Sequence, residues 1–153
     1  MGSLQSINKA PPESVANSDF WPDIKLHELR ESVRLDGNVT NERLRHVTIE
    51  AINRVNDELA EWRDTQRQSG YTTLADVPAE KVGGISVLTS RYFRAVYSTT
   101  KALIIESYRD IDTTREGEKH AEALSTQIED TWRDSQWALR DILGLKRGLA
   151  EIA

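Results

Sequence analysis

The sequence predicts an all-α fold: a bundle of three long helices plus a short N-terminal helix, with an extended N-terminal arm. Three observations carry this. Apolar residues recur at three- and four-residue steps through the long stretches, the period of a helix face. No stretch alternates apolar and polar residues as a half-buried strand does. Gly37, Gly70 and Gly144 stand just past the ends of periodic stretches, where helices take their C-terminal caps.

Taken in order, residues 1–19 hold "KAPPESVANSD", rich in proline, serine and asparagine and without periodicity, which predicts a disordered or extended arm. Residues 20–143 are the predicted bundle domain, and residues 144–153 a short, mildly apolar tail. Phe20 and Trp21 precede Pro22 at the start of the bundle. They read either as a hydrophobic plug that docks the arm or as an anchor on a neighbouring chain. The plug is favoured, because large aromatics bury wherever a surface offers itself.

Asp23 is the expected N-cap of a short helix ending near Leu35, with Gly37 just beyond it. Thr40 is the expected N-cap of the first long helix, with Val39 and Leu44 at the spacing of a hydrophobic staple. Leu44, Val47, Ala51, Ile52, Val55, Leu59 and Trp62 then form one apolar stripe, and Gly70 closes the helix.

The next connection, "GYTTLADVPAEKVGG", is longer than the usual 2–8-residue link between bundle helices. Leu74 and Val77 are spaced to point inward together, and Pro78 stiffens the chain beyond them. The third long helix is expected from about Gly84-Ile85-Ser86 to Arg109. Its middle, "AVYSTTKALII", carries a single charge, so it should be the central and most buried helix. The last helix starts near "DTTREGEKH", where Thr113 and Glu116 have capping-box spacing and Gly117 can kink or fray the first turns. Ala121, Leu124, Ile128, Trp132, Leu139 and Ile142 make its stripe. Trp137 lies about 140° round the helix from Trp132. It shares a face with Asp130, Arg133 and Asp141, so it is either covered by a loop or the short helix, or it anchors a subunit interface.

Composition excludes several functions. With 153 residues, one domain is expected. A chain of this size buries about 68–70% of the surface its unfolded form exposes and needs no staple. There is no cysteine, so disulfides, thiolate metal sites and thiol catalysis are out. No apolar run approaches a membrane span, and no secretory signal opens the chain. The start Met1-Gly2-Ser3 formally matches a myristoylation pattern, but such short matches are common by chance. Twenty-five acidic against 20 basic residues, net −5, argue against a protein that grips DNA by its phosphates, though not against one that surrounds it.

No catalytic or cofactor-binding constellation is legible. The three histidines are His27, His46 and His120. Ile24, Arg43 and Gly117 precede them by three, so the Glu-x-x-His motif of metal bundles is missing. His46 with Glu50 and Glu116 with His120 share helix faces, a pairing that exposed polar faces produce constantly. There is no phosphate loop, dinucleotide fingerprint or nucleophile elbow. The expected protein is not an enzyme, uses no cofactor and holds no metal.

Eight stretches occur in order: "FWPDI", "RLDGNVTNERLR", "NRVNDELAEWR", "GYTTLADVPAE", "YFRAV", "ESYRDID", "GEKHAE" and "WRDSQWAL". Together they resemble the head completion protein (GpL) family of long-contractile-tailed bacteriophages, over about residues 20–142. The resemblance implies a portal adaptor of the virion neck, made in the host cytoplasm. Such a protein forms a ring below the portal once the head is full, continues the DNA channel and offers a surface to the neck or tail. Its implied partners are the portal protein, further copies of itself in a ring matching the twelve-fold portal, a neck or tail-terminator protein, and passing genomic DNA without specific binding. No membrane is implied. The interface candidates are then Phe20 and Trp21 in the plug, Leu74, Asp76, Val77, Glu80 and Lys81 in the connection, Trp137, and Leu149 and Ile152 in the tail. Against this stand two other readings, a small helical regulator that binds a cytoplasmic partner and a small helical enzyme or metal protein.

Overall fold

A computed structural model of the chain describes residues 13–35, 38–111 and 115–145, with the side chains of 110–121 outside the description. The all-α expectation holds, with two very short strand pairs added. The order is β1 (Ser14–Val15), β2 (Ile24–Lys25), α1 (Leu26–Val33), α2 (Asn41–Glu58), α3 (Ala60–Gln68), a 3-10 turn (Leu74–Asp76), β3 (Lys81–Val82), β4 (Ile85–Ser86), α4 (Val87–Ile111) and α5 (Arg115–Leu143).

Helix α4 is the central element, as its sparse charge predicts. It packs along α5 and α2, and α1, β4 and the 3-10 turn also lie against it. Tyr92, Ala95, Val96, Thr99, Thr100, Ala102, Ile104 and Ile105 are all buried. Small and hydroxylated residues let it approach α5 closely. The Thr99 and Ser135 hydroxyls, both buried, hydrogen-bond each other across that seam at 2.8 Å. Thr100 and Thr48 instead return their hydroxyls to Val96 O and Leu44 O one turn back, so neither buried hydroxyl lacks an acceptor.

Several local expectations hold. Thr40 caps α2, its Oγ1 accepting the Arg43 N–H at 3.1 Å, and Val39 and Leu44 are both buried as the staple requires. Helix α3 ends in a Schellman motif: Gly70 sits at φ 99°, its N–H donates to Arg67 O, and the Tyr71 N–H donates to Gln66 O. Gly144, at φ 75°, closes α5 in the same way, with the Leu145 N–H donating to Arg140 O.

Other expectations are corrected. The single helix expected from Thr40 to Gly70 is interrupted at Leu59, which takes φ −102°, ψ 8°. The hydrogen bonds Leu59 N to Val55 O and Arg63 N to Leu59 O persist across that point, so the axis is flawed there without being severed. Leu59 is fully buried, and packing rather than propensity holds it off the ideal geometry. Asp23 does not cap α1. The helix starts after Lys25 with no side-chain cap, and Asp23 Oδ1 accepts the Asn17 N–H instead. It ends with Arg34 in the left-handed region, φ 57°, while Gly37 lies outside the described residues. Helix α4 begins at Val87, where the buried Ser86 Oγ accepts the Leu88 N–H, and a hairpin precedes it. The Thr113–Glu116 capping box, Gly117, His120 and the Ala121 side chain fall outside the described residues.

From Glu13 on the arm is extended and docked: β1 pairs antiparallel with β2, Val15 opposite Ile24, and Val15 is buried. The Arg45 guanidinium donates to Ser14 O and fastens this pair to α2. The residues before Glu13 lie outside the description.

Candidate interaction surface

Phe20 and Trp21 form the plug. Both are buried, and they build an aromatic cluster with Trp62 of α3 and Tyr92 of α4. Phe20 meets Trp21 edge-on at 4.8 Å, while Trp21 stacks on Tyr92 at 4.6 Å with 6° between planes. Such pairs contribute about 0.5–1.5 kcal/mol beyond the area they bury. With so little of either ring left in water, the two fill the core of one chain and are not surface anchors.

Beside the stack, three polar side chains close a ring of hydrogen bonds. Asn17 Nδ2 donates to the Tyr92 hydroxyl (2.8 Å), that hydroxyl donates to Asn56 Oδ1 (2.7 Å), and Asn56 Nδ2 donates to Asn17 Oδ1 (3.0 Å). Asn17 Nδ2 also donates to Pro22 O and its Oδ1 accepts the Ser18 N–H, which shapes the turn that presents Phe20 and Trp21. The ring joins the arm to α2 and α4 at one point. Burial pushes the Tyr92 phenol well above its ordinary value, outweighing the opposite effect of the two asparagine hydrogen bonds. Tyr97, further along α4, is pushed up to about 12, chiefly by burial and secondarily by the Glu28 carboxylate.

The connection between α3 and α4 lies against this plug. Leu74 and Val77 are buried, and the Leu74 N–H donates to Phe20 O at 2.9 Å. Arm and connection together with Thr89 of α4 wall a shallow cavity of about 280 Å³. Asp76, Glu80 and Lys81 are exposed. The connection then turns back as the hairpin β3–β4, whose two-residue turn is Gly83-Gly84 at φ 65° and φ 81°. Positive φ at both central residues is what a type I′ hairpin turn demands, and glycine meets it without strain. The Val87 N–H donates to Glu80 O and closes the hairpin base. Val82 and Ile85 face each other across the two strands and remain 65% and 48% exposed.

Sequence reasoning misses this hairpin. Its signal is the Gly-Gly pair between Val82 and Ile85, which reads equally as the approach to a helix. The asparagine–tyrosine ring carries no local signal at all.

On α5, Trp132 is half-buried. Its indole N–H donates to Glu106 Oε2 at 2.8 Å, and the Arg54 guanidinium lies 6.0 Å from its ring centre. It is thus an edge residue tied to α4, where the stripe suggests a full core position. Trp137 is also half-buried, with the Arg133 guanidinium 5.7 Å from its ring centre. Leu149 and Ile152 lie outside the described residues. Among the described residues no group of three histidine or acidic side chains is placed to hold a metal, and no helix is long and apolar enough to cross a membrane.

The structure is that of a small, mostly helical protein with an internal aromatic plug, a connection anchored by Leu74 and Val77, and one exposed hairpin. The sequence profile of the phage head completion protein (GPL) family matches residues 15–152. The chain is also 37% identical over 133 residues to the head completion/stabilization protein of Escherichia phage P2, covering 87% of this chain and 79% of that one. The chain belongs to the phage head completion protein family. No solved structure matches it significantly.

Proposed function

We propose that this protein completes DNA-filled heads as a portal adaptor. Copies assemble as a ring below the portal, continue its channel and present a surface to a neck or tail protein. Family membership supports the coarse role, and one structural observation favours the finer one. The connection 70–86 is anchored at its base by Leu74 and Val77 and ends in an exposed apolar pair, Val82 and Ile85. Exposed β-branched side chains on a hairpin add nothing to this monomer's core, and they fit a contact made only on assembly.

The charge balance agrees with this reading. A net charge of −5 lets a channel surround DNA without gripping it, since grip requires cations matched to phosphates. The exposed charged side chains of the connection, Asp76, Glu80 and Lys81, supply polar contacts beside the apolar pair, and Trp137 is a second candidate anchor.

Deletion of the gene tests the proposal. Heads should still fill, but they should lose their DNA or fail to accept tails. Heads that never fill would place the role earlier, in packaging or shell assembly, and end the adaptor reading.

A further inference from the structure

We infer that the hairpin tip of one copy seats in a groove of the next, making the head-to-tail contact of the ring; this rests on the adaptor reading above. The groove lies between the end of α1, the C-terminal half of α4 and α5. It holds about 380 Å³ and is walled by Val33, Leu35, Ile104, Ile105 and Tyr108, the last 39% exposed. The tip lies just before the first residue of α4 and the groove centres near Ile104, about 25 Å along the same helix at 1.5 Å per residue. One chain's hairpin therefore cannot reach its own groove. Two different patches at opposite ends of one long element define a heterologous contact, the kind that closes rings.

Chemistry matches the two patches. Val82 and Ile85 are paired across the strands, so they project together from one face of the hairpin as a single two-residue knob. The groove offers aliphatic walls with one aromatic edge. Charge also matches: Asp76, Glu80 and Lys81, the charged residues of the connection that carries the hairpin, sum to one negative charge, while among the described residues lining the groove Arg34 and Lys101 carry two positive charges. Two side chains bury far less than the roughly 1,200–2,000 Å² of a stable interface. The contact is therefore weak between free copies and becomes effective where a portal holds neighbours side by side.

The chain has no cysteine, so introduced pairs report cleanly. Val82→Cys and Tyr108→Cys are made singly and together, and oxidised both in concentrated free protein and in purified filled heads. The doubly substituted chain should link into a ladder of multimers in heads, and a mixture of the two single variants should give dimers of one with the other. Each single variant alone should stay unlinked. Self-linking of the Val82→Cys chain, linkage of that chain to the portal instead, or no ladder in heads would each overturn the inference. Val82→Asp with Ile85→Asp, both at exposed positions, should keep the melting curve and lower completed heads about tenfold, the effect of one lost anchor per contact. Normal completion with that variant, where gene deletion leaves leaking heads, would refute the hairpin contact and leave the adaptor reading standing.

Discussion

The indole of Trp21 lies flat on the ring of Tyr92, centres 4.6 Å apart and planes 6° from parallel, and this stack joins the arm to the central helix. The arm is thereby part of the fold from Glu13 onward. Its removal would open the core and expose the inner faces of α3 and α4.

Truncating the plug should therefore act as a core mutation. Trp21→Ala and Phe20→Ala should each cost about 3–5 kcal/mol, as large-to-small changes in buried aromatics do. Urea titration checks this. A loss below about 1 kcal/mol, close to the range of ordinary surface changes, would mean the arm is only loosely applied.

The asparagine–tyrosine ring should behave as one unit. Tyr92→Phe removes one hydroxyl but leaves two amide groups without their partner, so a cost of about 1–3 kcal/mol is expected. Asn17→Ala and Asn56→Ala should each cost a similar amount. Because all three share bonds, Tyr92→Phe combined with Asn56→Ala should cost clearly less than the sum. Additive losses in that cycle would show that the three bonds act separately.

Stability should fall in alkali. Tyr92 and Tyr97 both have folded-state pKa values above the ordinary phenol value of about 10, through burial. The folded state thus holds these protons more tightly than the unfolded one. The associated stability is complete below about pH 10 and is lost as pH climbs from there through the folded values. Melting temperature followed from about pH 8 to 11 should be level at first and then drop, at about pH 10. Tyr92→Phe should flatten part of that drop, and an unchanged profile in the variant would remove Tyr92 from the explanation.

The hairpin turn should tolerate no side chain cheaply. Gly83→Ala or Gly84→Ala places a Cβ in the left-handed region and should cost about 1–2 kcal/mol. No neighbouring atom obstructs either position, so the cost is one of backbone conformation alone. Amide exchange in residues 80–87 should accelerate while that of α4 beyond its first turn stays slow. Equal acceleration throughout α4 would mean the hairpin supports the bundle, instead of being carried by it.

The two tryptophans of α5 should separate by readout. Trp132→Phe removes the bond to Glu106 and should cost about 1.5–3 kcal/mol, the range for bonds to charged groups, whereas Trp137→Ala should cost less and weaken assembly more. Denaturant melts and yields of tailed particles measure the two effects. A Trp137→Ala protein as destabilised as the Trp132 variant would mean that Trp137 serves the fold.

Much of what depends on near neighbours was legible in the chain itself, although the Gly83-Gly84 turn and the uncapped start of α1 were not. The Thr40 cap, the staple of Val39 and Leu44, the glycine stops at Gly70 and Gly144 and the burial of α4 are spelled out within a few residues of where they act. So was the plug of Phe20 and Trp21, because few surfaces leave such rings in water. Family-like stretches spread along most of the chain carried the head completion reading, with no active site needed. What only the tertiary structure decided depends on faces that meet across the bundle. Asn17 finds Tyr92 across 75 positions of sequence, and Trp132 stops half-buried because Glu106 on α4 is there to accept its indole hydrogen bond. The arm became a strand because β2 pairs with it and α2 lies against it, and the two exposed residues of the hairpin became a knob because the turn between them brings them to one side. Helix periods and caps are short-range and additive. Contacts between distant segments depend on how whole faces pack, and no window of sequence contains both sides of them.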